Sequence, residues 1–283
     1  MRMQGTVWTD QGNFRPSNQD SCLLKIADTA QGTVCLAAVC DGMGGLEKGE
    51  LASAEAIRAL DEWFCTQLPA LLAQGLPEQT LMEQWNRIIW QVNGRLRDFG
   101  ERSALQLGTT VTAMLIAKGM LYLMQVGDCR AYLLTGLRAD LLTQDQTMAF
   151  REFLAGHISA EQLRDDPRQS YLTQCVGVGM PEPEFLMHVC PAEGSFLLCS
   201  DGFYHKLYLQ ELQELGALER ISDIGAYLGL LGQACRQRGE KDNMTAVVVR
   251  CFTAQDSETV SFRQEDTISL RADYVTVHTE ERL

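Results

Sequence analysis

The chain has 283 residues, of which 46% are hydrophobic, and a formal net charge of −13 at pH 7. This length and apolar content predict a globular protein with one large domain or two small ones and exclude a disordered chain. The negative charge argues against nucleic acid as a partner, because phosphate backbones attract basic surfaces, and suits a cation site or a basic partner.

Two features bear on the cellular compartment. No apolar stretch reaches the length of a membrane span, and residues 1–15 lack the apolar core of a secretory signal. The ten cysteines include no CxxC pair, and Cys35, Cys40, Cys199 and Cys251 lie in or beside apolar runs. We therefore expect reduced thiols packed in a core, and a cytoplasmic protein.

The first half of the chain is predicted to contain strands and two long helices. A strand at 33–40 precedes two helical patterns, at 51–68 and 77–99, which have apolar residues at helical spacing. Two further strands, rich in Val, Leu and Thr, are predicted at 109–117 and 120–127.

The second half begins with a polar, helix-prone stretch, 144–175, which we interpret as an excursion from the sheets. A strand at 195–200 and a helix at 221–239 follow, with Ser222 as the expected N-cap. The last predicted strand is 244–252. Long helices inserted between groups of strands predict an α+β layered architecture, because a strict βαβ alternation is absent.

Carboxylates lie at the ends of these strands. Five aspartates share this placement: Asp20, Asp41, Asp128, Asp201 and Asp242. A sandwich of sheets can gather such ends at one edge, where the carboxylates would repel one another unless a cation were present. Oxygen ligands of this kind suit Mg²⁺ or Mn²⁺. The four scattered histidines form no HExxH motif and do not predict a zinc site.

A glycine-rich loop follows the first of the predicted strands. Gly42 would permit its carbonyl to turn toward an ion, and Gly44 and Gly45 would keep the loop free of Cβ atoms. The alternative is an ordinary Asp-Gly turn. A nucleotide-binding loop is excluded, because neither GxxxxGK[ST] nor GxGxxG is present.

Six short stretches, in order along the chain, resemble the motifs of the metal-dependent Ser/Thr protein phosphatases, the type 2C family. They are RPSNQD (15–20), VCDGMGG (39–45), LGTTVTA (107–113), VGDCR (126–130), LCSDGF (198–203) and KDNMTAVVV (241–249). The resemblance covers residues 5 to about 250 and is closest to bacterial members. It implies a four-layer α-β-β-α sandwich with two mostly antiparallel sheets.

The resemblance also implies a domain organisation. Residues 1–252 would form the catalytic domain, and the excursion at about 144–175 would be the flap that borders the substrate groove. Residues 253–283 would form a separate C-terminal, strand-like tail.

The resemblance implies a set of metal ligands. Asp41 would bridge two ions of Mn²⁺ or Mg²⁺, and Asp201 and Asp242 would complete the first site. Asp20 and the Gly42 carbonyl would serve the second site.

Two further roles follow from the same resemblance. Asp128, with Asp201, matches the pair that holds a weaker third metal in bacterial members. Arg15 matches the phosphate-binding arginine, since a planar guanidinium can bind phosphoryl oxygens as a fork. The alternative for Arg15 is a surface salt bridge. Arg15, Asp41 and Asp201 are therefore the residues that we expect to be catalytic.

The activity implied is hydrolysis of phosphoserine and phosphothreonine in proteins, by attack of a water that bridges the metals. Such an enzyme acts on phosphoprotein substrates and reverses a cognate Ser/Thr kinase. Two alternatives remain open at this point. The chain could hydrolyse small phosphate monoesters, or it could be a catalytically silent binding module of the same fold, although no metal-binding aspartate is lost.

Five positions depart from the pattern of many relatives: Asn18 and Gln19 stand where many eukaryotic members have an acid, and Met43, Gln146 and Gln174 also differ. Met43 stands where many eukaryotic members have a histidine, so we expect no histidine general acid, and we interpret His205 as structural or peripheral. Gln146 replaces a histidine and Gln174 replaces an arginine; both changes fall in the excursion.

The excursion carries basic residues that could meet a substrate. Arg151, Arg164 and Arg168 could contact an acidic phosphopeptide, and a solvated helical face is the equal alternative.

The tail contains a loose repeat of strand-like segments, ETVSFR (258–263), DTISLR (266–271) and DYVTVH (273–278). Alternation of apolar and hydroxyl residues is a strand signal. The tail could add strands to this molecule's own sheet, or it could pair with the sheet edge of a partner.

Overall fold

Two five-stranded sheets, antiparallel throughout, form the centre of the computed structural model, which describes residues 1–43, 48–217 and 223–253. The first sheet has the spatial order β1 (Arg2–Asp10), β10 (Met244–Phe252), β9 (Gly194–Cys199), β6 (Arg130–Thr135), β7 (Arg138–Leu141). The second has the order β2 (Asp20–Thr29), β3 (Gly32–Asp41), β4 (Val111–Ala117), β5 (Met120–Val126), β8 (Glu184–Val189).

Helices cover the outer faces of both sheets. The second sheet carries α1 (Gly49–Thr66), α2 (Leu68–Ala73) and α3 (Glu78–Ser103). The first sheet carries α6 (Asp201–Tyr204), α7 (Leu209–Leu215) and α8 (Ile224–Gln237). Between β7 and β8 the chain leaves the sheets and forms α4 (Met148–Leu154), α5 (Ala160–Arg164) and a 3₁₀ turn, Pro167–Ser170.

The central strands are apolar on both faces because both faces are covered. In β3, Leu36 and Ala38 pack beneath α1 and α3, whereas Ala37 and Val39 pack between the sheets. Antiparallel strands with one wet face alternate apolar and polar residues; strands packed on both faces read as continuous apolar runs. The four-layer α-β-β-α sandwich expected from the sequence is therefore confirmed.

The predicted central elements agree with the structure to within a few residues, but one cap does not. The third predicted helix begins at Ile224, and Asp223 caps it, because its side chain accepts a hydrogen bond from the Ala226 N–H at 2.9 Å. The prediction of Ser222 as the cap is therefore wrong, and Ser222 itself lies outside the described residues. The predicted tail, beyond Thr253, also lies outside them.

Most of the cysteines are packed in the core, as expected from the sequence. All ten cysteines are free, and only Cys65 is exposed while Cys175 is half-buried. Burial raises the pKa of the Cys22 and Cys235 thiols to about 12, so these groups stay protonated at neutral pH. Not one of the described helices combines the length and apolar character needed to cross a bilayer.

The packing of α8 on β1 depends on one glycine. An added Cβ at Gly232 would overlap the Trp8 indole, which itself packs on the Phe203 ring at 5.6 Å. We expect Gly232→Ala to lower the free energy of unfolding by about 1–3 kcal/mol, because the indole must move out of a packed position. Urea unfolding measures the effect.

Gly229 is the matched control, one turn earlier on α8. A Cβ there would lie 3.6 Å from Trp8 Nε1, an ordinary contact. Gly229→Ala should therefore stabilise the protein by roughly 0.5–1 kcal/mol, as Ala does in a helix interior. Equal urea midpoints for the two variants would contradict this account of the interface.

Candidate active site

The five strand-end aspartates come together at one edge of the sandwich. Asp20 and Asp41 are direct partners across the β2–β3 ladder. Asp128 follows β5, Asp201 follows β9 and begins α6, and Asp242 lies just before β10. The two sheets thus bring to one place residues that are separated by up to 222 positions in the chain.

The carboxyl groups are close enough to affect one another's protonation. Loss of solvation raises the pKa of Asp41 well above its ordinary value, even though part of this residue remains exposed. The other four aspartates raise it further: Asp20, Asp201, Asp128 and Asp242. Burial and the charge of Asp201 also raise the pKa of Asp128. The site therefore carries more negative charge than its surroundings stabilise.

Asp20 is the most enclosed member of this group. Burial raises its pKa to about 7, although the Ser200 hydroxyl donates a hydrogen bond to Oδ2 at 2.8 Å. Ser200 Oγ in turn accepts from the Thr245 N–H at 3.0 Å. Ser200 thus fixes the orientation of the Asp20 carboxylate between the two sheets.

The donor set fits a divalent cation. Asp20 Oδ1 and Asp201 Oδ1 are buried without a hydrogen-bond partner among the described residues, and a buried unpaired carboxylate oxygen is costly. An oxygen-only set suits Mg²⁺ or Mn²⁺. In the described ranges, however, no three His, Cys, Asp or Glu side chains form a closed ligand cluster.

Gly42 occupies a position where the backbone of three segments meets. Its N–H donates to the Gln19 carbonyl at 3.0 Å, and an added Cβ would overlap the Gly49 carbonyl at the start of α1. Any other residue would force β2, β3 and α1 apart at the site. Close backbone approach therefore accounts for this glycine. Gly44 and Gly45 lie outside the described residues.

Two threonines that sequence reasoning did not identify hold the backbone of Asp41. The Asp41 N–H donates to Thr110 Oγ1 at 2.9 Å, and Thr109 Oγ1 donates to the Asp41 carbonyl at 3.0 Å. Both belong to the LGTT stretch, whose paired hydroxyls immediately before a strand were the available signal.

Arg15 forms a bidentate pair with Asp242. Its Nε lies 2.9 Å from Asp242 Oδ1 and its Nη2 lies 2.6 Å from Oδ2. Each side chain is about a third exposed, and the hydrogen bond to Asp242 raises the Arg15 pKa. The salt bridge considered for Arg15 is thus present, and its partner is one of the predicted metal ligands.

Asn243 anchors the loop that carries Arg15. Its Oδ1 accepts from the Gln19 N–H at 2.9 Å, and its Nδ2 donates to the carbonyls of Gln11 and Ser17 at 2.8 and 3.1 Å. Sequence reasoning did not assign it a role. Its place directly after Asp242 was the only signal.

Gln146 connects the excursion to the Asp128 turn. Its Oε1 accepts from the Gly127 N–H at 2.7 Å, and its own N–H donates to the Gly127 carbonyl at 3.1 Å. Gly127 has φ +103°, a conformation that favours glycine. Gln146, interpreted from the sequence as a substituted flap position, therefore also fixes the turn before Asp128.

His205 lies closer to the site than its interpretation as peripheral implies. Its Nδ1 is 3.8 Å from Asp201 Oδ2, and its ring meets the Tyr204 ring edge-on. Met43 is half-buried, and its N–H donates to the Gly108 carbonyl at 3.1 Å. His205 therefore lies beside one of the predicted metal ligands.

The basic residues of the excursion are arranged in two ways. Arg168 pairs with Asp166 at 2.7 Å and with Glu152 at 3.4 Å, which matches the solvated-face alternative. Arg151 is exposed on α4. The Arg164 side chain is outside what the structure describes.

Gln174 stabilises the end of the excursion, because its Oε1 accepts a hydrogen bond from the Glu182 N–H at 3.1 Å.

Comparison with known proteins identifies the family. The family model for protein phosphatase 2C matches residues 15–227. The serine/threonine phosphatase stp of Listeria welshimeri is 30% identical over 252 residues, which cover 87% of this chain and 95% of that protein.

Solved structures agree with this match. The crystal structure of the serine/threonine phosphatase Stp1 from Staphylococcus aureus has a TM-score of 0.77 at 25% identity and covers 89% of this chain and 96% of its own. The catalytic domain of the serine threonine protein phosphatase PstP, in complex with two manganese ions, has a TM-score of 0.70 at 26% identity, with 89% and 99% covered. The family and fold expected from the six motifs are confirmed: the chain belongs to the protein phosphatase 2C family.

Proposed function

We propose that the strand-end aspartates form a divalent-metal centre at which this chain hydrolyses phosphoserine and phosphothreonine in proteins. The observation that carries the proposal is the excess of carboxylate at one edge, where buried oxygens of Asp20 and Asp201 have no hydrogen-bond partner among the described residues. Serine/threonine phosphatase activity is also what family membership supports.

The metal roles follow the family pattern. Asp41, Asp201 and Asp242 would hold one ion, and Asp41, Asp20 and the Gly42 carbonyl would hold a second. Asp128 with Asp201 would hold a weaker third. Bound Mn²⁺ or Mg²⁺ supplies Lewis-acid activation of water and neutralises the charge of the phosphoryl group.

Arg15 is the group that we assign to the phosphoryl oxygens. Its guanidinium lies at the rim of the carboxylate group, held by Asp242, and is partly open to solvent. A planar fork that pairs with a carboxylate has the geometry to pair with two phosphoryl oxygens. Arg15 would exchange one anionic partner for the other when substrate binds. Asn243 keeps the Arg15 loop in place during that exchange.

The leaving serine or threonine oxygen requires a proton. Met43 has no titratable group and stands where many relatives have a histidine. We infer that water, rather than a side chain of this protein, delivers the proton. His205 would then act on the site only through its proximity to Asp201.

The same assignment implies the class of substrate and the cellular compartment. Phosphoproteins are the substrates, and a cognate Ser/Thr kinase would supply them. The ten free thiols suit a reducing compartment such as the cytoplasm. The silent-module alternative is disfavoured, because all five aspartates are in place. The small-ester alternative is distinguished from the protein phosphatase by comparing turnover of the two classes of substrate.

Substrate class is tested by comparing phosphopeptides with small metabolite phosphates in Mn²⁺. We expect kcat/KM for a phosphoserine or phosphothreonine peptide to exceed that for small esters by at least about tenfold, since binding energy from the flanking peptide assists the reaction. Excess chelator should abolish both rates. Higher kcat/KM for a metabolite phosphate would show that the chain is a small-ester hydrolase.

Asp41→Asn separates catalytic from folding roles. We expect kcat/KM to fall by at least about 100-fold, because a group that positions charge at the reaction centre is lost. Without metal, the same variant should be more stable than wild type by about 1–3 kcal/mol, because a carboxylate among like charges is removed. The gain in the free energy of unfolding should be largest near pH 8 and should vanish near pH 3. The raised pKa of Asp41 destabilises the folded state only at pH values where the same carboxyl is ionised in the unfolded chain.

Asp140→Asn is the control for Asp41→Asn. The Asp140 side chain is 45% exposed and pairs with Arg138 at 3.1 Å, so the substitution should change the free energy of unfolding by less than about 0.5 kcal/mol. Urea unfolding in chelator and phosphopeptide turnover in Mn²⁺ provide the two readouts. Turnover that survives Asp41→Asn would refute the proposed centre.

His205→Ala tests the source of the proton. We expect the phosphopeptide rate to stay within a few-fold of wild type, whereas loss of a general acid costs roughly 10²–10⁴-fold. Metal binding by the variant is measured in parallel by calorimetry. A loss of that size with metal still bound would make His205 the general acid.

A further inference from the structure

An apolar groove lies between α3 and β8, away from the carboxylate edge. It has a volume of about 650 Å³ and is lined by Met82, Asn86 and Trp90 of α3 and by Phe185 and Met187 of β8. Trp90 is 40% exposed and Met187 37% exposed. Large apolar side chains that share an open groove are typical of a surface that another segment covers.

The groove borders an open sheet edge. Within the described ranges, β8 pairs only with β5, so one row of its backbone N–H and C=O groups faces outward. Val189, at the end of β8, is 77% exposed. Proteins usually cover such an edge, because it can pair with a foreign strand.

The other sheet edges are less suited to a further strand. β1 and β2, at the same side of the sandwich, contact each other. β7 has four residues, and two of them, Arg138 and Asp140, are charged. The apolar groove described above borders β8, and its lining includes no residue of β1, β2 or β7.

The chain passes close to β8 where its described part ends. The Thr253 hydroxyl donates to the Glu193 carboxylate at 3.1 Å, and Glu193 lies four residues beyond Val189. Residues 254–257 can span up to about 13 Å when extended. The segment 258–263 therefore begins within reach of the Val189 end of β8.

The sequence of 258–263 matches this edge in length and pattern. It has six residues, ETVSFR, the same number as β8. Val260 and Phe262 alternate with the hydroxyl residues Thr259 and Ser261, as in a strand that is apolar on one face. Arg263 ends the segment.

Carboxylates line the groove, namely Glu78 and Glu83 of α3 and Glu182 just before β8, and the charge at the β8 start suits Arg263. A strand that starts at the Val189 end and runs antiparallel to β8 ends beside Glu184, close to Glu182. Trp90 belongs to this end too, because Asn93, one turn later on α3, donates to the Gly179 carbonyl at 3.2 Å. Arg263 would thus lie opposite Glu184.

We propose that residues 258–263 add a sixth, antiparallel strand to the second sheet at the β8 edge. Val260 and Phe262 enter the groove, with Phe262 beside Trp90, and Arg263, on the opposite face of the strand, pairs with Glu184. The tail then belongs to its own molecule's sheet, which selects one of the two alternatives left open by its sequence. Backbone hydrogen bonds supply affinity, and the alternate side chains set the register.

Amide hydrogen exchange on the full chain tests this strand. The outward-facing β8 amides should be protected in wild type. Val260→Asp should speed their exchange by at least about tenfold, because a charge in the groove releases the strand. Ser261→Asp, its neighbour on the hydroxyl face, is the matched control and should change exchange by less than about threefold. Turnover of p-nitrophenyl phosphate confirms that each variant is folded.

A second pair of variants tests the groove itself. Trp90→Ala should also release the β8 amides, whereas Leu230→Ala, which removes a 62% exposed side chain from α8, should not. Unprotected β8 amides in wild type would overturn the proposal and leave the groove to a separate partner. Protection that is lost on dilution would also overturn it, since the occupant would then be a second copy of the chain.

Discussion

Repulsion among carboxylates is the constraint on which this molecule's architecture depends. Side chains of like charge move apart unless the backbone holds them, and here the backbone is the ends of strands from both sheets together with the turns beside them. Packing on both faces of the central strands makes those ends rigid. The hydrophobic core thus supports an arrangement that its own electrostatics oppose, and catalytic capacity is gained at some expense of stability.

Hydrogen bonds from neutral side chains orient the charged groups on this rigid framework. Ser200 aims Asp20, Thr110 holds the Asp41 backbone, and Asn243 anchors the loop of Arg15. None of these three would contact substrate in the proposed assignment. Each uses a neutral group, which adds hydrogen bonds to a crowded anionic edge without adding charge.

The sequence predicted the central strands, the long helices and the family well, because continuous apolar runs and ordered motifs are strong local signals. It missed β1, β7 and β8, which lie at sheet edges and carry partly exposed, mixed residues without clear alternation. It also missed the interior strand β6, which is short and only half-buried at three of its six residues. It placed the helix cap at Ser222 because hydroxyl and carboxylate caps are locally equivalent. The Arg15–Asp242 pair joins residues 227 positions apart, and only the fold reveals such a contact. The assignment of individual metal ligands stays a prediction.

The pairing register of the β2–β3 hairpin determines whether Asp20 points toward the carboxylate edge. Asp20 and Asp41 are opposite partners at its open end, and the turn between Thr29 and Gly32 closes the other end. Side chains alternate faces with a period of two, so a slip of one residue would turn all of β2 over and direct Asp20 away from the edge. A pairing error at the turn, about ten residues from Asp20, would therefore disable the ion site without altering a single ligand. The length of the hairpin arms is thus itself a requirement of the site.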